Sequence, residues 1–208
     1  MIYEDKKLFD IFDGSQRYAI QQKKMEWINA MRIINEGDKK DNILEIGACN
    51  GGTTYCLSFF CNKLVTLDMS TPAPFTFSEI EKNCNYTYHG GDSHSQKIFN
   101  LVKDIKYDVL FIDGDHTYEG SKQDFDMYSP LVKTGGIIIF HDIIDSQYHR
   151  SSNCNVARCW DEVKEKFDSN KIFEFCYDRT HDEQYKREFI VESGEHCKQW
   201  GGIGVIRL

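Results

Sequence analysis

No stretch of this 208-residue chain is apolar for long enough to span a bilayer. Its first residues, Met1-Ile2-Tyr3-Glu4-Asp5-Lys6, lack the basic and apolar regions of a secretory signal. Basic residues are in deficit. The net charge is −8 and the isoelectric point about 5.4, which argues against an extended phosphate backbone as partner. No internal repeat and no low-complexity linker is visible. The eight cysteines include no Cys-x-x-Cys pair, and several sit in apolar segments. With no export signal, free thiols in a reducing compartment are expected rather than a disulfide framework. These absences predict a cytoplasmic globular protein without membrane or nucleic-acid partners. At 40% hydrophobic and 13% aromatic residues, the chain can fill a real core. A single domain is expected over 1–208, with residues 1–37 as an N-terminal helical segment and 38–208 as the core.

What the chain does contain is an alternation of strand-like and helix-like segments. Residues 15–35 place Ile20, Met25, Ile28, Met31 and Ile34 on roughly one helical face. Strands are predicted near 42–47, 64–68, 86–89, 108–113 and 136–141. Helices are predicted over 53–61, 77–83, 94–104, 118–131 and 155–168. Such alternation implies a parallel sheet covered on both faces. Two late strands, 171–177 and 202–207, read as a terminal hairpin with a long polar connection. The polar stretch 143–155 reads as an irregular lid or substrate loop.

In open α/β sheets, ligands sit beyond the carboxyl ends of the strands. Here those ends carry Glu45, Asp68, Asp92, Asp113 and the pair His141-Asp142. The segment Ile43-Leu44-Glu45-Ile46-Gly47-Ala48-Cys49-Asn50-Gly51-Gly52-Thr53 is a buried strand, a glycine turn and a helix start. A turn of this kind presents backbone N–H groups to a ligand. Cys49 occupies the middle glycine position of the dinucleotide pattern, which argues against a dinucleotide. Glu45 is expected to accept from backbone amides and fix the turn. Asp68, ending the second strand, can accept ribose hydroxyls or cap a turn. Asp92 and Ser93 can reach an adenine edge, or Asp92 can cap the next helix. Asp113 and Asp142 are expected on neighbouring strand ends, where two carboxylates can hold a divalent ion, Mg²⁺ or Mn²⁺ before zinc. His116, three residues past Asp113, is placed to take a proton. His149, Cys154 and Cys159 are a weaker zinc pattern.

These residues resemble the class I S-adenosylmethionine (SAM)-dependent methyltransferases, from about residue 15 to the C-terminus. Glu45 to Thr53 looks like the cofactor motif of the metal-dependent O-methyltransferase branch. Phe111-Ile112-Asp113-Gly114-Asp115-His116-Thr117-Tyr118-Glu119, followed by Tyr128 to Gly136, is similar to a small-domain group. That group includes enzymes methylating sugar hydroxyls of macrolide antibiotics and a relative linked to cephalosporin biosynthesis. The resemblance implies a Rossmann-like seven-stranded sheet, order 3-2-1-4-5-7-6, with only the last strand antiparallel. It implies SAM held by Glu45, Gly47, Asn50, Gly51, Thr53, Asp68, Asp92 and Ser93. It places metal ligands at Asp113, His141 and Asp142, and a general base at His116. His141 departs from the pattern, because relatives carry an acid there. The acceptor implied is a small polyhydroxylated molecule such as a sugar, and a homodimer is the base-rate expectation. The competing readings are a metal-independent methyltransferase and a catalytically silent cofactor-binding protein.

Overall fold

The computed structural model describes residues 4–70, 74–176 and 200–208. Its centre is a seven-stranded sheet in the order β3-β2-β1-β4-β5-β7-β6. The strands are β1 Lys40–Ile46, β2 Cys61–Asp68, β3 Asn85–Gly90, β4 Tyr107–Ile112, β5 Val132–His141, β6 Ile172–Phe175 and β7 Ile203–Arg207. The first five pair in parallel, and β7 runs antiparallel to both β5 and β6. This is the order and the antiparallel final strand that the resemblance implied.

Side-chain alternation splits the core into two layers. Ile43, Leu64, Val109, Phe111 and Ile139 face one way, against α1 Asp5–Ser15, α2 Lys24–Ile34, α3 Gly52–Ser58 and Ile80 at the end of α4 Pro74–Ile80. Leu44, Val65, Leu110, Ile138 and Phe140 face the other way. There they meet residues of α5 Gln96–Val102, α6 Tyr118–Tyr128 and α8 Val156–Lys164. Burial on both faces explains why these strands read as nearly unbroken apolar runs. Trp27 on α2 and Trp160 on α8 are the largest buried side chains, one in each layer.

The N-terminal segment departs from the expected single helix over 15–35. Helix α1 ends at Ser15, a 3₁₀ turn covers Gln16–Tyr18, and α2 begins at Lys24. Between them Ala19 adopts a left-handed conformation, φ 51°. Ile20 is not on the helical stripe; it packs on the start of α3, where a Cβ on Gly52 would come within 2.6 Å of its Cα. The periodic pattern counted a residue that a tertiary contact had claimed. The segment 143–155 also holds more structure than expected, with α7 spanning Gln147–Ser151. The connection expected between the last two strands lies outside the described residues. The seven described cysteines are free thiols. Among the described residues, no helix is long and apolar enough to cross a membrane.

Candidate active site

The chain runs from β1 outward to β3, then returns to β4 on the other side of β1. The switch leaves a crevice between the carboxyl ends of β1 and β4. Local hydrogen bonds fix its floor. Gly47 N–H donates to Leu67 O at 2.8 Å, and Asp113 N–H donates to Ile46 O at 2.8 Å. Gly47 has φ 89°, and a Cβ there would sit 2.0 Å from the Asp113 carbonyl oxygen. The glycine therefore lets the first turn and the Asp113 strand end lie against each other.

Above this floor is a cavity of about 670 Å³. Gly47, Asn50, Thr53, Asp68, Asp92, Ser93, Asp113, His116 and His141 all line it. Residues proposed for a cofactor and residues proposed for chemistry thus share one space. Gly51 is the left-handed N-cap of α3. Glu45 and Asp142 are buried behind the wall.

Glu45 does not accept from the backbone amides of the turn. Thr53 Oγ1 donates to Glu45 Oε1 at 2.7 Å, and Thr54 and Thr66 donate to Oε2 at 2.7 and 2.8 Å. The carboxyl bolts α3 and β2 to β1 from beneath. Burial pushes its pKa up to about 7, against the pull of the three hydroxyls. The backbone amides that sequence reasoning gave to Glu45 belong to Asp68. Its Oδ2 accepts from Ala48 N–H at 2.6 Å and Cys49 N–H at 2.8 Å. Its Oδ1 accepts from the Ser70 amide and hydroxyl at 2.6 and 2.7 Å. Both oxygens are engaged, so a ribose would bind there by displacing Ser70.

Asp92 does not cap α5. Ser95 is the N-cap, and Asp92 accepts from His94 N–H at 2.9 Å in the turn before it. Ser93 Oγ donates to the buried Asp124 Oδ1 at 2.7 Å, with His94 Nε2 3.2 Å from the same oxygen. Burial pushes Asp124 up to about 6. Ser93 therefore faces the cavity with its hydroxyl hydrogen committed. Neither Asp124 nor His94 was singled out in the sequence.

The second half of the cavity is a knot of carboxylates and imidazoles. His141 Nδ1 lies 3.1 Å from Asp113 Oδ1 and 3.4 Å from Asp142 Oδ1. His116 Nε2 lies 3.3 Å from Asp113 Oδ1, and its Nδ1 3.5 Å from Asp142 Oδ2. Gln22, from the N-terminal segment, donates to Asp113 Oδ2 at 2.7 Å. The hydrogen bond to Asp113 raises His116 to about 9, against its partial burial. Burial alone would lower His141, but the Asp142 and Asp113 charges overcome it and push that ring to about 9. Burial would raise Asp113 and Asp142, yet the facing imidazoles hold both below the usual carboxylate range.

Ligand atoms of Asp113, His141 and Asp142 all lie within 4.8 Å of one another. Two oxygens and one nitrogen at neighbouring strand ends are a donor set that a divalent ion can use, and His141 Nε2 has no hydrogen-bond partner. His149 enters from α7. Its Nε2 lies 3.2 Å from Asp142 Oδ1. It does not form a metal group with Cys154 and Cys159, contrary to the weaker zinc pattern; among the described residues, Cys154 groups with His116 and Asp142 instead.

Residues 44–143, from β1 to just past β5, match a family model described as a methyltransferase domain. A curated relative is the uncharacterized protein R132 of Acanthamoeba polyphaga mimivirus, 29% identical over 131 residues. The match takes in 56% of this chain and spans only 58% of that protein. Among solved structures, an O-methyltransferase from Bacillus cereus in complex with SAH matches with a TM-score of 0.58 at 16% identity, covering 100% of this chain and 93% of that one. The N-methyltransferase NodS of Bradyrhizobium japonicum WM9 matches with a TM-score of 0.57 at 13% identity, over 94% and 96% of the two chains. A precorrin 8w decarboxylase from Methanobacterium thermoautotrophicum gives 0.54 at 18%, over 88% and 90%. Different reactions on one fold do not choose an acceptor. Residues 44–143 thus match a methyltransferase domain, and the seven-stranded sheet has the fold of the methyltransferase structures it resembles.

Proposed function

We propose that the protein is an O-methyltransferase that moves the SAM methyl group to a hydroxyl of a small polyhydroxylated acceptor, such as a sugar, with a divalent ion. The observation that carries this reading is the convergence of Asp113, His141 and His116 on the cavity that the glycine turn opens, with Asp142 against them just behind its wall. Gly47, Asn50, Gly51 and Thr53 would bound the methionine end of the cofactor, Asp68 its ribose, and Asp92 and Ser93 its adenine. Asp113, His141 and Asp142 would hold Mg²⁺ or Mn²⁺, which when bound supplies positive charge that lowers the pKa of an acceptor hydroxyl. His116 would take the hydroxyl proton as the oxygen attacks the sulfonium methyl in line. The S–CH₃ bond breaks as the O–CH₃ bond forms, leaving a neutral thioether. At neutral pH the His116 proton is held by Asp113 and Asp142. The ring becomes a base only when those carboxylates are engaged elsewhere, which ties proton removal to a filled site.

The test is methyl transfer to a panel of polyhydroxylated small molecules, followed by mass. His116→Gln and Asp113→Asn should each lose about 10²- to 10⁴-fold in turnover, while S-adenosylhomocysteine still binds by calorimetry. Wild-type rates in both variants would refute the assignment. A metal-independent reading has one observation in its favour: the carboxylates and imidazoles already neutralise one another. Full activity in excess chelator would select it.

A further inference from the structure

One buried side chain close to His116 has no place in the methyl-transfer scheme. Cys154 follows α7 and is 6% exposed. Ligand atoms of Cys154, His116 and Asp142 all lie within 4.8 Å of one another. We infer that His116, Asp142 and Cys154 form a second metal site, of the zinc type, that shares Asp142 with the oxygen-rich site.

The backbone holds this triad in place. Asn155 N–H donates to His116 O at 2.8 Å, so the turn carrying Cys154 is stitched to the loop carrying His116. Cys154 N–H donates to His149 O at 2.8 Å. The two oxygens of Asp142 face different ways, Oδ1 toward His141 and His149 and Oδ2 toward His116. One carboxylate can therefore serve either set. His149 Nδ1–H donates to Ile144 O at 2.6 Å, which fixes the ring whose Nε2 sits against Oδ1.

Donor chemistry selects the ion. Sulfur, nitrogen and one carboxylate oxygen are a borderline-soft set that suits Zn²⁺ and disfavours Mg²⁺. Tetrahedral Zn²⁺ wants its donors about 3.5 Å apart, so closing the triad takes small side-chain movements. Of the three, His116 lines the cavity, its side chain 43% exposed, so a water or ligand from there would complete the set. Burial keeps the free thiol neutral, pushed up to about 12; ion binding would release its proton to solvent. Where the methyl-transfer reading holds, Zn²⁺ here occupies the lone pair that His116 needs as a base, so zinc would antagonise the reaction. That consequence rests on the proposed function, whereas the site itself does not.

Co²⁺ binding to the whole protein tests the site without any activity assay. One equivalent should give a thiolate-to-cobalt charge-transfer band in the near ultraviolet. Zn²⁺ should abolish the band and Mg²⁺ should leave it. Cys154→Ser should lack the band while still binding S-adenosylhomocysteine, which reports its fold. His116→Gln, which keeps the thiol, should weaken Co²⁺ binding at least tenfold. A band that persists in Cys154→Ser, no band in the wild type, or displacement by Mg²⁺ would each overturn the inference.

Discussion

Glu45→Gln isolates the buried anchor beneath the glycine turn. The change keeps shape and removes only the capacity to ionise. An amide oxygen placed toward Thr54 and Thr66 still accepts from both hydroxyls, and the NH₂ group can donate to Thr53 once that hydroxyl turns. The variant should fold, with its three hydrogen bonds kept. What it loses is a titration. The wild-type carboxyl is raised from 4.5 to about 7 by burial. The folded protein therefore holds this proton more tightly than the unfolded chain. Below pH 4.5 the two states bind it equally, and between 4.5 and about 7 stability falls as pH rises. The shift corresponds to roughly 3 kcal/mol at full ionisation. Urea unfolding followed by circular dichroism from pH 4 to 8 gives the free energy at each pH. Subtracting the variant's curve from the wild type's removes the contributions the two proteins share. The difference should drop by about 3 kcal/mol across this window, at the variant's relative gain. Cofactor affinity should change little, because Glu45 does not line the cavity. Parallel curves would show that Glu45 titrates normally, and the account of a buried, hydroxyl-bound acid would fail.

Three further outcomes follow from the same geometry. Gly47→Ala forces a Cβ to 2.0 Å from the Asp113 carbonyl oxygen at φ 89°; a loss above about 2 kcal/mol and of S-adenosylhomocysteine binding is expected, and an unchanged Tm would contradict it. His116 and His141 are raised from 6.5 to about 9, so their ion pairs stabilise the metal-free protein fully below pH 6.5 and lose that contribution as pH rises through 9. Asp113→Asn should flatten this decline in denaturation curves, and an unaltered slope would count against the ion-paired knot. Gln22→Ala frees Asp113 Oδ2 from its 2.7 Å donor; Mn²⁺ affinity by electron paramagnetic resonance should fall about 10- to 100-fold, and wild-type affinity would remove Gln22 from the site.

Much of the fold was legible because the relevant signals are local. Strands buried on both faces read as nearly unbroken apolar runs, so Val109–Ile112, Ile137–Phe140 and, Glu45 apart, Ile43–Ile46 announce themselves. The late hairpin was read from the two apolar runs 171–177 and 202–207, the antiparallel final strand came from the family resemblance, and the pairing of β7 with β5 and β6 agrees with both. The N-terminal segment was misread because helical periodicity cannot tell a stripe residue from Ile20, which a contact with α3 holds outside any helix. The site divides in the same way. Asp68, Asp113 and His141 stand at strand ends or just past them, where position follows from the strand pattern. The partners of Glu45 did not, because Thr54 and Thr66 reach it from different elements.

By itself, the sequence determined the strand and helix alternation, the glycine turn and the row of acids at the strand ends. Each depends on spacing within about ten residues, where backbone geometry is nearly fixed. Tertiary packing set which acid holds which donor. It moved the turn's amides from Glu45 to Asp68, brought Gln22 onto Asp113 from 91 residues away, and grouped the Cys154 thiol with His116 and Asp142 rather than with the His149 ring and Cys159. Those pairings depend on distances between elements, which packing in three dimensions fixes and chain spacing does not encode.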